Sequence, residues 1–132
     1  KELDCFAWQR DDVQGEKLNF SCEKGYFSLS GPESALQRKI QQGEDKFVIG
    51  KTVWLTVAEA LAKSLAYLSG AHHCPNILLV GGVSGSQNLR KILPSLLKEQ
   101  QVYFCNPAYT GDNSVGVALS GKYFVLDKMK KS

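Results

Sequence analysis

The sequence predicts one α/β domain, and three observations carry that expectation. The run Ile77-Leu78-Leu79-Val80 is continuously apolar, as in a parallel strand buried on both faces. It passes through Gly81-Gly82 into a helical stripe of Leu89, Ile92, Leu93, Leu96 and Leu97, and residues 101–105 then read as a second strand, which completes a βαβ unit. Ahead of this unit lie an alternating hairpin pattern and a long amphipathic helix.

Taken in order, residues 1–15 carry no periodic pattern and form an irregular segment. Residues 17–22 alternate apolar and polar, Glu23-Lys24-Gly25 supplies a turn, and residues 26–30 alternate again, so the pair reads as a β-hairpin. Gly31-Pro32 stops the second strand, and Pro32 suits the first position of a helix over residues 33–42 that Gly43 closes. From Asp45 to Leu68 the residues Phe47, Trp54, Ala58, Leu61, Leu65 and Leu68 recur at helical spacing. A second stripe of Val53, Val57 and Ala60 predicts burial around much of that helix, which Ser69-Gly70-Ala71 ends. Ser84 with Gln87 resembles a capping box for the helix after the two glycines, and Pro94 is expected to kink or split that helix. Residues 106–111 read as a loop, Asp112 as the cap of a final helix to about Gly121, and 122–132 as a tail with an apolar patch and a basic end.

Composition narrows the function classes. The 132 residues, 43% hydrophobic and 22% charged, suffice for one globular core but are few for a two-lobed enzyme. A net charge of +3 is too small to mark a nucleic-acid binder or a membrane-surface protein by charge alone. No apolar run is long enough to span a membrane, and no leader pattern points to secretion. Cys5, Cys22, Cys74 and Cys105 are widely separated and form no C-x-x-C pair, so they read as reduced, mostly buried thiols of a cytoplasmic protein.

Two places carry candidate chemistry. Gly81-Gly82, between a strand and a helix start, lets a ligand approach the backbone beside N–H groups and a positive dipole end. Tight packing of the turn explains the same glycines, and neither G-x-G-x-x-G nor G-x-x-x-x-G-K-(S/T) is present. Asp112, followed by Asn113 at a loop-to-helix junction, reads as a helix cap or as a metal ligand that needs further ligands from elsewhere. His72-His73 beside Cys74 precedes Pro75 in a short loop, where adjacent side chains point apart, so a metal role there is disfavoured. Trp8 and Trp54 read as core or interface residues, and Lys128, Lys130 and Lys131 as a solvated terminus. No Ser-His-Asp set, reactive-cysteine context or H-E-x-x-H is found, so peptidase chemistry has no support.

Three ordered stretches resemble one family. Residues 79–90 (LVGGVSGSQNLR) are similar to G-G-V-(A/S)-A-N-x-x-L-R, and residues 106–121 resemble P-x-x-x-C-T-D-N-x-x-M-I-A-x-x-G. Residues 26–35 (YFSLSGPESA) are similar to D-F-S-F-S-G-L-K-T-A. Together they resemble the C-terminal lobe of the tRNA threonylcarbamoyladenosine transferase family (TsaD), long labelled glycoprotease or O-sialoglycoprotein endopeptidase. The resemblance covers residues 16–121, with 1–15 and 122–132 outside it. It implies an RNase H-like, actin-like ATPase lobe, a mixed sheet with packed helices. It also implies metal-dependent transfer of threonylcarbamoyl from its adenylate to a tRNA adenosine.

By motif position Gly81, Gly82 and Ser86 would face ATP or threonylcarbamoyl-adenylate, and Asp112 would ligate iron or zinc. The family's other metal ligands, an H-x-x-x-H pair in the N-terminal lobe, have no counterpart here. The partners implied are that lobe, tRNA and the proteins of the threonylcarbamoylation machinery, with no membrane. Lys1 at the start is then expected to mark a cut between lobes, leaving an isolated chain without activity. Departures from the pattern are Ser86 for asparagine, Glu33 for lysine, and Thr110-Gly111 for cysteine-threonine. These changes suggest a divergent paralogue, and the alternative function is a non-catalytic scaffold or dimerisation partner.

Overall fold

The computed structural model describes residues 7–106 and Ser120. Its elements run β1 (Ser21–Glu23), β2 (Tyr26–Ser28), α1 (Ser30–Gln41), α2 (Lys46–Ala71), β3 (Asn76–Leu79), a 3₁₀ turn (Gly82–Gly85), α3 (Gln87–Leu96) and β4 (Gln101–Phe104). Cys5, the expected helix after Asp112, and the tail 122–132 lie outside the described residues.

The hairpin forms, with β1 antiparallel to β2 and Cys22 opposite Phe27, but its first strand is shorter than the alternation suggests. The chain before β1 is held by a helix instead of a neighbouring strand. The backbone N–H groups of Glu16 and Leu18 donate to Oγ1 of Thr52 and Thr56 on α2, each at 3.1 Å. Lys51 Nζ donates to the carbonyl oxygens of Arg10 at 2.6 Å and Val13 at 2.8 Å, with its ammonium 5.7 Å from the Trp8 ring centroid. Residues 10–18 thus run along α2 as a strap. Gly15 is required beneath it, because a Cβ there would lie 2.6 Å from both Lys51 Cβ and the Thr52 nitrogen.

Asp45 caps α2 by accepting from Phe47 N–H at 2.8 Å, and the helix runs on through Gly70 to Ala71. The stop is a Schellman-type cap: His73 takes a φ of 51°, Cys74 N–H donates to the Ser69 carbonyl at 3.0 Å and His73 N–H to the Gly70 carbonyl at 3.3 Å. Burial wraps much of α2, as expected, but one buried face is polar: Lys51, Thr52, Thr56 and Ser64 meet the strap and hairpin. Ala58 and Ala62 pack in the core with Leu89, Leu93 and Leu97, across the helix from Thr52, Thr56 and Ser64, while Lys51 lies two turns before Ala58 on the same side.

The βαβ unit forms as expected. Strands β3 and β4 are parallel, with Asn76 opposite Gln101 and Leu79 opposite Phe104. Ile77, Leu79, Val102 and Phe104 face the core cluster. The other face corrects the expectation of a doubly buried strand: Leu78 is 65% exposed and Tyr103 51%. Helices α2 and α3 both lie on the first face, so among the described residues the second has no covering layer. Nor is there one mixed sheet among those residues, which hold two separate two-stranded sheets. Helix α2 takes up the backbone N–H groups that would otherwise extend the hairpin.

Pro94 does not split α3, which continues to Leu96. Sitting in the last turn at an exposed position, it removes a single donor from the helix. Cys22, Cys74 and Cys105 are free thiols, but none is buried, and Cys74 is exposed at the turn after α2. No described helix is long and apolar enough to cross a membrane.

Candidate functional site

The turn between β3 and α3 owes its shape to Gly81. Its φ of 92° and ψ of 172° fall in a region essentially restricted to glycine. A Cβ there would meet nothing within 4 Å, so packing does not explain the residue. Conformation does, and the space beside the backbone stays open. Gly82 begins the 3₁₀ turn and has no positive φ, so its backbone would accept a side chain. The first hydrogen bond of the turn runs from Ser84 N–H to the Gly81 carbonyl at 3.1 Å. The N–H groups of Gly82 and Val83 precede that bond and have no acceptor within the turn.

Ser84 does not cap α3, contrary to the capping-box reading. Its Oγ donates to the Gly81 carbonyl at 2.6 Å, and Ser84 is buried inside the turn. The cap is Ser86, whose Oγ accepts from Leu89 N–H at 3.2 Å. The extra turn Gly82–Gly85 moves the helix start two residues on, which the spacing of Ser84 and Gln87 could not reveal. Ser86 is 6% exposed, and its hydroxyl secures the helix start.

Gly81 and Gly82 therefore stand exposed together at the turn, with Ser86 beneath them at the start of α3. Asp112 lies outside the described residues. Among the described residues no group of three His, Cys, Asp or Glu side chains could hold a metal ion. His72 and His73 are exposed in the turn that ends α2, and His73 has a φ of 51°.

Sequence reading missed Arg90, which grips the turn. Its Nε–H donates to the Ser84 carbonyl at 2.9 Å, and an Nη2–H donates to the Cys105 carbonyl at 2.5 Å. The nearest signal was its match to the arginine that ends the G-G-V-(A/S)-A-N-x-x-L-R pattern, one turn into α3. Hollows among the described residues lie elsewhere. One is an apolar groove of about 420 Å³ between α1 and α2, lined by Leu36, Ile40, Ile49 and Val53. The other, of about 450 Å³, is framed by Ser21, Ser28, Ser30 and Gly31 of the hairpin and α1 start.

Fold and turn together define an α/β chain whose strand–turn–helix unit leaves glycine backbone exposed. The chain is similar to the tRNA N6-adenosine threonylcarbamoyltransferase of Porphyromonas gingivalis (strain ATCC BAA-308 / W83), at 28% identity over 125 residues. The match takes in 93% of this chain, which spans 37% of the length of that relative. It supports a relationship with the tRNA-modifying transferases whose motifs the sequence resembles. No family model matches the chain.

Proposed function

We propose that this chain is the nucleotide-facing, C-terminal lobe of a threonylcarbamoyltransferase-like protein of actin-like fold that modifies tRNA adenosine. The observation that carries the reading is the β3–α3 turn, where Gly81 adopts a glycine-only conformation with open space in place of a side chain. Such backbone admits the adenosine or phosphate of ATP, or of threonylcarbamoyl-adenylate, close to turn N–H groups and the start of α3. In this reading Gly81 and Gly82 form the contact surface, while Ser86 supports it from below by capping α3. The similarity over nearly the whole chain to a named transferase favours the same family of chemistry.

Asp112 would be one ligand to iron or zinc, and among the described residues no group of three His, Cys, Asp or Glu side chains adds the others. Asp112→Ala in the complete protein is expected to abolish stoichiometric metal, and unchanged metal on elemental analysis would refute the assignment. Gly82→Val adds bulk at an exposed position without backbone strain. Calorimetry on the complete protein is expected to show ATP affinity lost with folding retained. Undiminished affinity would overturn the proposed cleft. Threonylcarbamoyl transfer to tRNA by the wild type is the activity assay.

A second reading, a non-catalytic scaffold of the same fold, is favoured by Glu33. It places a negative charge in the first turn of α1, where the family motif has lysine. Wild-type protein that binds a protein partner but neither ATP nor tRNA would select this reading.

A further inference from the structure

We infer that Arg90 is a positioning residue that clamps the Gly82–Gly85 turn to the end of β4, so that both segments beside the candidate nucleotide face move as one body. This rests on the proposed function for its biochemical meaning, but the clamp itself stands on geometry.

The turn and the sheet each end on a backbone carbonyl that their own hydrogen bonds do not use. Ser84 closes the turn through its N–H and Oγ, both donated to Gly81. Cys105 extends the parallel ladder through its N–H, donated to the Leu79 carbonyl at 3.1 Å. The remaining groups, the carbonyls of Ser84 and Cys105, converge on one guanidinium, at 2.9 Å from Nε and 2.5 Å from Nη2. Its plane also lies over the Phe104 ring, 4.9 Å from the centroid. The Arg90 backbone is fixed in turn, with its N–H donating to the Ser86 carbonyl at 3.1 Å.

The side chain therefore joins the 3₁₀ turn, the first turn of α3 and β4. Arginine suits the position because its planar fork aims two donors at two separate carbonyls while its face stacks on an aromatic ring. A lysine ammonium on a flexible stem would retain the charge without the fork. Released from the clamp, the turn would keep Gly81 but lose its tie to the strand.

The test is hydrogen exchange on this chain with Arg90→Met and Arg90→Lys, followed by ATP calorimetry on the complete protein. Arg90→Met is expected to speed exchange in residues 82–86 and 104–106 together by about tenfold, with residues 46–71 unchanged. Arg90→Lys should loosen one of the two segments, a decoupling that general destabilisation would not produce. In the complete protein Arg90→Met should weaken ATP binding by about tenfold, with Arg90→Lys intermediate. Uniform acceleration across the chain, or none at either segment, would overturn the clamp. A wild type that binds no ATP would sink the functional reading, leaving the exchange result to decide the role of Arg90.

Discussion

Gly81 and Lys51 are the residues whose local chemistry has the widest consequences. At Gly81 the cost of any side chain is conformational, since no atom lies where a Cβ would go. Gly81→Ala should therefore lower stability by about 1–3 kcal/mol. Denaturant unfolding checks this, and an unchanged midpoint would mean that the turn relaxes freely. Lys51 is 7% exposed and spends its donors on the main-chain carbonyls of Arg10 and Val13. The Arg10–Asp12 pair gives a different case. The guanidinium hydrogen bond holds the Asp12 carboxyl below its ordinary 3.8, and the same contact raises Arg10. A depressed folded pKa means that any contribution is present above 3.8 and is lost as pH falls through the lower folded value. Both groups are exposed, so the effect on stability is small. NMR titration should place the Asp12 midpoint below 3.8, and Arg10→Ala should raise it.

At the scale of elements, β3 separates two contributions that its apolar sequence merges. Ile77 and Leu78 are neighbours, yet Ile77 packs on the cluster of Leu89, Leu93 and Leu97 while Leu78 points to the open face. Ile77→Ala should cost about 2–4 kcal/mol and Leu78→Ala well under half of that, by denaturant unfolding. Equal losses would mean that the second face is covered in solution. The helix α2 was readable as a helix and as widely buried. Its polar face was not, because Lys51, Thr52, Thr56 and Ser64 look like solvated positions until the strap is laid across them. Their partners lie between 36 and 39 residues away for the backbone of Glu16, Leu18, Val13 and Gly25. Periodicity within a window carries no information at that range.

Across the whole molecule, the strap and the βαβ unit both pack on α2. Lys51→Met preserves the stem but leaves the carbonyls of Arg10 and Val13 without their donor, at a cost of about 1–3 kcal/mol. Limited proteolysis should then cut within residues 7–18 faster than in the wild type. Unchanged nicking would show that Thr52 and Thr56 hold the strap alone. Leu78 and Tyr103 on the open face of β3 and β4 are exposed, as are Gly81 and Gly82.

The sequence by itself determined the hairpin, the long helix and the strand–glycine–helix–strand unit, because each depends on contacts between near neighbours and on glycine and proline stereochemistry. It also singled out Gly81 and Gly82 as a candidate place for a ligand to approach the backbone. Tertiary structure decided which face of β3 is buried, and that Ser86, not Ser84, caps α3. It also decided that Arg90 joins Ser84 to Cys105. Those outcomes turn on hydrogen-bonding groups brought together by folding, and a carbonyl carries no mark in the sequence of the side chain that will reach it.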